Sequence, residues 1–190
     1  MKTISYYCIV ILFKNIRYKI GLSILRRKSK DRRRKRALFN FENADSIGVV
    51  FKTNCHADFE CVKKFLHYLS EKNSKIITIC FVDNKKIEDF YLLRKGYNIF
   101  TLKDLNFFFI PDNSIVIEFI EKPFDILIDL SVDNNIPLHY ISCLSKSKFR
   151  IGKLLSERNC MDLMIDTENN NTIENLVENI KYYMSVICNN

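Results

Sequence analysis

Nine of the eleven residues from Arg26 to Arg36 are basic: Arg26, Arg27, Lys28, Lys30, Arg32, Arg33, Arg34, Lys35 and Arg36. Guanidinium groups fork onto phosphate oxygens. A run this dense can neutralise several phosphates and release their counterions, so the first expected partner is RNA or a ribosomal particle. The same charge attracts an anionic membrane surface. Ahead of the run, Ile16, Ile20 and Ile24 recur every four residues, with Leu22 and Leu25 beside them and Lys14, Arg17 and Lys19 between. That is the pattern of a basic amphipathic helix able to lie in an interface. A solvated tail is the plainer alternative.

Other residues could do chemistry but lack company. Cys55, His56 and Cys61 stand close together, yet zinc needs four ligands, and His67 and His139 are isolated in sequence. No metal is expected. A Cys55 nucleophile would need a base brought to it in space, and its neighbour His56 is badly placed for that. The stretch from Lys52 to Asp58 (KTNCHAD) contains no glycine. That excludes a phosphate loop and a dinucleotide turn, and no cofactor is expected. Asp125 and Asp129, four apart on an expected strand, share one face. Phe107, Phe108 and Phe109 could stack bases or close a core. If the body holds a ligand, the pocket should lie at the C-terminal strand ends, around Lys52, Thr53, Asn54, His56 and Ser131.

These residues need elements to place them. The chain has 190 residues, 47% of them hydrophobic, and a formal charge of +8. The charge is divided: residues 1–36 carry thirteen basic residues and one acid, whereas the remainder is mildly acidic. The uncharged run from Ile4 to Phe13 (ISYYCIVILF) is about half the 20 or so residues that a spanning helix needs. Basic residues follow it at once, with no small-residue cleavage site. Seven cysteines are scattered without a C-x-x-C pair. They predict free thiols, a reducing compartment and no disulfide-linked partner.

From residue 46 the pattern alternates. Strands are expected at 46–52, 75–82, 97–102, 124–130, 148–152 and 162–166. Helices are expected from His56 to beyond Leu69, at 87–95, at 113–121, from Pro137 to Leu144, and after a Thr172 cap. Strand, helix, strand within about 35 residues suits a right-handed βαβ unit.

The stretches SIGVVF at 46–51, KDLNFF at 103–108, KPFDILIDLS at 122–131, PLHYISCLSKSKFRIG at 137–152 and DLMID at 162–166 resemble a family of small bacterial proteins defined as a domain of unknown function. The resemblance implies an α/β fold and no activity. KPFDILIDLS through FRIG is also similar, more faintly, to the acceptor half of heptosyltransferase-type glycosyltransferases. That likeness is one of α/β form.

The expected protein is therefore α/β, with a mainly parallel, Rossmann-like three-layer sheet of about five strands behind a basic amphipathic N-terminal helix. Residues 1–43 form the arm and 44–190 a single domain. The expected role is a non-enzymatic, cytoplasmic one in which the arm binds RNA or a ribosomal particle. Docking on anionic lipid, at the inner face of the membrane, is the second role. A small enzyme with a pocket at the strand ends is the third.

Overall fold

A computed structural model describes residues 2–52, 56–72, 75–83, 96–156, 160–167 and 170–187, with the side chains of residues 2–12 left out. The arm is a single helix, α1 (Lys2–Lys30). An extended segment then leads to β1 (Ser46–Lys52), α2 (His56–Ser70), β2 (Lys75–Val82) and β3 (Tyr97–Thr101). There follow α3 (Ser114–Glu121), β4 (Ile126–Asp129), α4 (Ile136–Leu144), β5 (Phe149–Lys153), β6 (Leu163–Ile165) and α5 (Ile173–Val186). The helix expected at 87–95 lies outside the described residues.

The six strands form one sheet in the order β3-β2-β1-β4-β5-β6, with every adjacent pair parallel. The expectation of a Rossmann-like sheet holds, with six strands in place of about five. β1 and β4 are buried along almost their whole length, because helices cover both faces. On one face, Phe59, Val62, Phe65 and Leu69 of α2 pack beside Leu176, Val177 and Ile180 of α5. On the other, Leu25 of α1 joins Val116 and Phe119 of α3 and Leu138 and Ile141 of α4.

Local chemistry sets the helix starts. Thr172 Oγ1 accepts from Asn175 N at 3.2 Å, and Asn113 Oδ1 accepts from Ile115 N at 2.8 Å. Asn135 caps α4, and Pro137 follows in its first turn, where a missing N–H costs nothing.

The arm lies on the body. Leu22 and Leu25 are buried, and Gly21 sits where an added Cβ would come 2.3 Å from the carbonyl oxygen of Phe108. Arg17 Nε donates to Phe107 O at 2.7 Å, and its guanidinium stands 4.2 Å from the Phe107 ring centroid and 4.5 Å from that of Phe109. Two faces of the phenylalanine cluster are thus taken by the arm itself. The docked face is offset from the isoleucine series: Ile24 is half-buried, while Ile16 and Ile20 are exposed.

One expectation fails outright. Cys143 of α4 and Cys160, beyond β5, form a disulfide across 17 positions. The thiols were expected to be free because the spacing shows no pairing. It cannot show one, since the turn from α4 through β5 is what brings the two residues together. Of the others, Cys61 and Cys80 are not in a disulfide, and Cys8, Cys55 and Cys188 lie outside the described side chains.

Candidate functional site

The sheet order reverses between β1 and β4, and a cleft opens beyond their C-terminal ends, where doubly wound folds bind ligands. It measures about 420 Å³ and is lined by Lys14 and Tyr18 of α1, Lys52, Asp83, Phe109 and the chain from Asp133 to Pro137. Lys52 Nζ lies 3.2 Å from Asp83 Oδ2 and 4.0 Å from Asp133 Oδ2. Its charge is therefore matched from within the protein. Ser131 and Lys52 line a smaller adjoining recess of about 120 Å³. The Ser131 hydroxyl and amide both donate to the buried carboxylate of Asp129, which also accepts from Ser142. His56 opens α2, stands exposed 3.9 Å from Glu60, and does not line either recess. Thr53 and Asn54 lie outside the described residues. Lys52 and Ser131 thus come together as expected, but each already holds a partner.

The two aspartates expected to share a face have separate structural duties. Asp125 accepts from the amides of Asp45 and Ser46, both at 3.0 Å, and from Lys148 Nζ at 2.7 Å. Burial alone would push its pKa up. The hydrogen bonds from Lys148 and Ser46 outweigh burial and hold the carboxyl below its usual range.

The basic run divides into spent and exposed charge. Arg34 Nη2 grips both oxygens of Asp162, at 2.6 Å to Oδ2, while Nη1 donates to Lys148 O at 2.8 Å. Arg32 Nε donates to Leu144 O at 2.8 Å, and its other end pairs with Glu121. Lys28 Nζ donates to Tyr140 Oη at 2.9 Å. Arg26, Arg27, Lys30, Arg33, Lys35 and Arg36 remain exposed. On α1 the exposed apolar residues Phe13, Ile16 and Ile20 fall at i, i+3 and i+7, away from the face that Gly21, Leu22 and Leu25 bury.

A third feature was not legible in the sequence. Arg32, Arg34 and Arg36 meet Arg150 of β5 around a recess of about 270 Å³, beside Cys143 and Cys160. Arg150 is only 4% exposed. Its Nη1 donates to Cys160 O at 3.2 Å and its Nη2 to Ser145 O, while its Nε has no partner. His139, isolated in sequence, has a ring nitrogen within 4.8 Å of the Cys143 and Cys160 sulfurs. While those sulfurs are bonded to each other they offer no thiolate to a metal.

Among the described residues no helix is long and apolar enough to cross a membrane. Sheet order and layering define a doubly wound α/β protein that wears its N-terminal helix packed against one face. The chain belongs to the Family of unknown function (DUF6913), whose match covers residues 17–187 and so takes in the docked part of α1 with the entire basic run. Curated proteins give no match.

Proposed function

We propose that the protein docks on an anionic membrane surface through α1 and presents its α/β body there. The observation that carries this reading is the outward face of the helix. Phe13 is 60% exposed, Ile16 46% and Ile20 40%, on a helix that also exposes Lys14, Lys19, Arg26, Arg27 and Lys30. An apolar stripe between basic residues matches a lipid interface in both polarity and charge. Each basic residue near such a surface adds about 1 kcal/mol, and the stripe adds the part that salt does not screen. The uncharged run from Ile4 to Phe13 lengthens the apolar portion of the same helix.

The RNA reading keeps support from the six exposed residues Arg26, Arg27, Lys30, Arg33, Lys35 and Arg36. It loses the contributions of Arg32 and Arg34, whose guanidiniums hold the arm to the body.

The test pairs two variants of the full chain. One replaces Phe13, Ile16 and Ile20 with Ser. The other replaces the six exposed basic residues with Gln. Vesicles of phosphatidylglycerol and phosphatidylcholine, sedimented at physiological salt, should retain the unaltered protein and release both variants. Retention of the serine variant would remove the membrane reading. Tight binding of single-stranded RNA by the serine variant, but not by the glutamine variant, would put the RNA reading in its place.

A further inference from the structure

We propose that Arg32, Arg34, Arg36 and Arg150 form a binding pocket for a phosphate oxyanion, as free phosphate or as a phosphomonoester. Four guanidiniums line one recess of about 270 Å³. Around it, Asp162 serves both Arg34, in a two-pronged pair, and Arg36, at 3.7 Å, while Glu121 serves Arg32 and Lys146. No carboxylate is bonded to the Arg150 guanidinium, which donates only to the carbonyls of Cys160 and Ser145, while Asp162 accepts from the Arg150 backbone amide. The Arg150 Nε–H is buried without an acceptor. A buried donor on a charged group is costly to leave unpaired, and such an orphan points to something that supplies the acceptor.

The electrostatics agree with the geometry. Burial first, and then the neighbouring charge of Arg34, pull the Arg150 pKa down to about 9. Guanidinium is the side chain least able to give up its proton. A bound anion relieves the same stress without deprotonation. A tetrahedral oxyanion suits the site better than a single carboxylate does, because it offers several acceptor oxygens and up to two charges to converging forks. The residues come from both ends of the fold, three from the arm and one from β5. The anion would therefore also fasten the arm to the sheet. None of this depends on the outward face of α1.

The test is calorimetric titration of the full chain with inorganic phosphate, at ionic strength matched with chloride. One phosphate per chain is expected. Arg36→Gln, at an exposed position that folding does not need, should weaken binding about tenfold, as for loss of one charge-assisted hydrogen bond. Arg150→Gln should abolish binding if it folds. Arg27→Gln, outside the recess, should bind as the unaltered protein does. Absence of phosphate binding at millimolar concentration overturns the proposal, as does equal weakening by Arg27→Gln and Arg36→Gln. A second arm separates the sources. Arg36→Gln weakening attachment to phosphatidic acid vesicles, but not to phosphatidylglycerol vesicles, identifies a lipid headgroup. Weakening confined to phosphate and glycerol 3-phosphate identifies a soluble phosphomonoester. The serine variant of Phe13, Ile16 and Ile20 leaves the pocket intact, so failure of membrane docking is read independently.

Discussion

Arg34 and Asp162 stand 128 positions apart and join in a two-pronged ion pair that ties the end of the arm to the approach to β6. The Arg34 side chain is 5% exposed and that of Asp162 15%, so the pair is largely shielded from water. Asp162 Oδ2 also accepts from the Arg150 amide at 2.9 Å, which ties the clamp to β5.

Removing one partner of such a pair leaves the other charge stranded. Arg34→Gln should cost about 3 kcal/mol of stability in urea denaturation. Arg34→Lys should recover little of it, because one ammonium cannot hold Asp162 and at the same time reach the Ser147 and Lys148 carbonyls, as the two ends of the guanidinium do. A double-mutant cycle with Asp162→Asn should return a coupling above about 1 kcal/mol. A coupling near zero would mean that the arm end is not clamped.

Gly21 gives a prediction whose sign distinguishes docking from a loose arm. Helix propensity alone favours Gly21→Ala by about 1 kcal/mol. In the docked helix the new Cβ would meet the Phe108 carbonyl oxygen at 2.3 Å, so the substitution should destabilise. Limited proteolysis between residues 30 and 44 should quicken, and the denaturation midpoint should fall. A stabilised variant would show that the helix does not rest there.

Acid sensitivity should pass through Asp125. Its folded pKa lies below the ordinary value, so the unfolded chain binds more protons across that interval. The stabilisation is complete above the unfolded pKa and is lost as pH falls through the folded one. Asp125→Asn should lower stability at pH 7 by about 2 kcal/mol and flatten the loss seen on acidification below about pH 5. Parallel acid limbs for the two proteins would remove Asp125 from this role.

The disulfide makes a count and an energy. With Cys143 and Cys160 paired, thiol titration in denaturant without reductant should find at most five of the seven cysteines. Replacing both with Ser should cost about 3 kcal/mol, the loop-closure value for a segment of this length. Seven titratable thiols would return the protein to the all-reduced expectation.

The strands were legible because a buried parallel strand is a short apolar run, and SIGVVFK or KIITICFV can be little else once turns flank them. Caps were legible for the same local reason: Thr172 does where it stands what threonine does before any helix. The sixth strand was legible as the short stretch 162–166, although β6 is only three residues long and Met164 within it is exposed; what the local pattern left open was that all six join one sheet. Of the expected pocket, Lys52 and Ser131 came together because strand C-termini share one edge of a parallel sheet. What their charges and hydroxyls would already be holding was not readable, because Asp83, Asp133 and Asp129 reach them through the sheet.

The sequence by itself determined the α/β alternation, the basic run and the helical arm, all of which depend on residues within a few positions of one another. Only the tertiary structure decided which of those charges remain available. It spent Arg32 and Arg34 on partners 89 to 128 positions away, joined Cys143 to Cys160, and turned Phe13, Ile16 and Ile20 outward. It also set Arg150 among three arm arginines, a meeting that no local pattern announces. The physical reason is reach: periodicity reports the neighbours a residue has along its own element, and an ion pair or a shared recess depends on which elements the sheet order sets side by side.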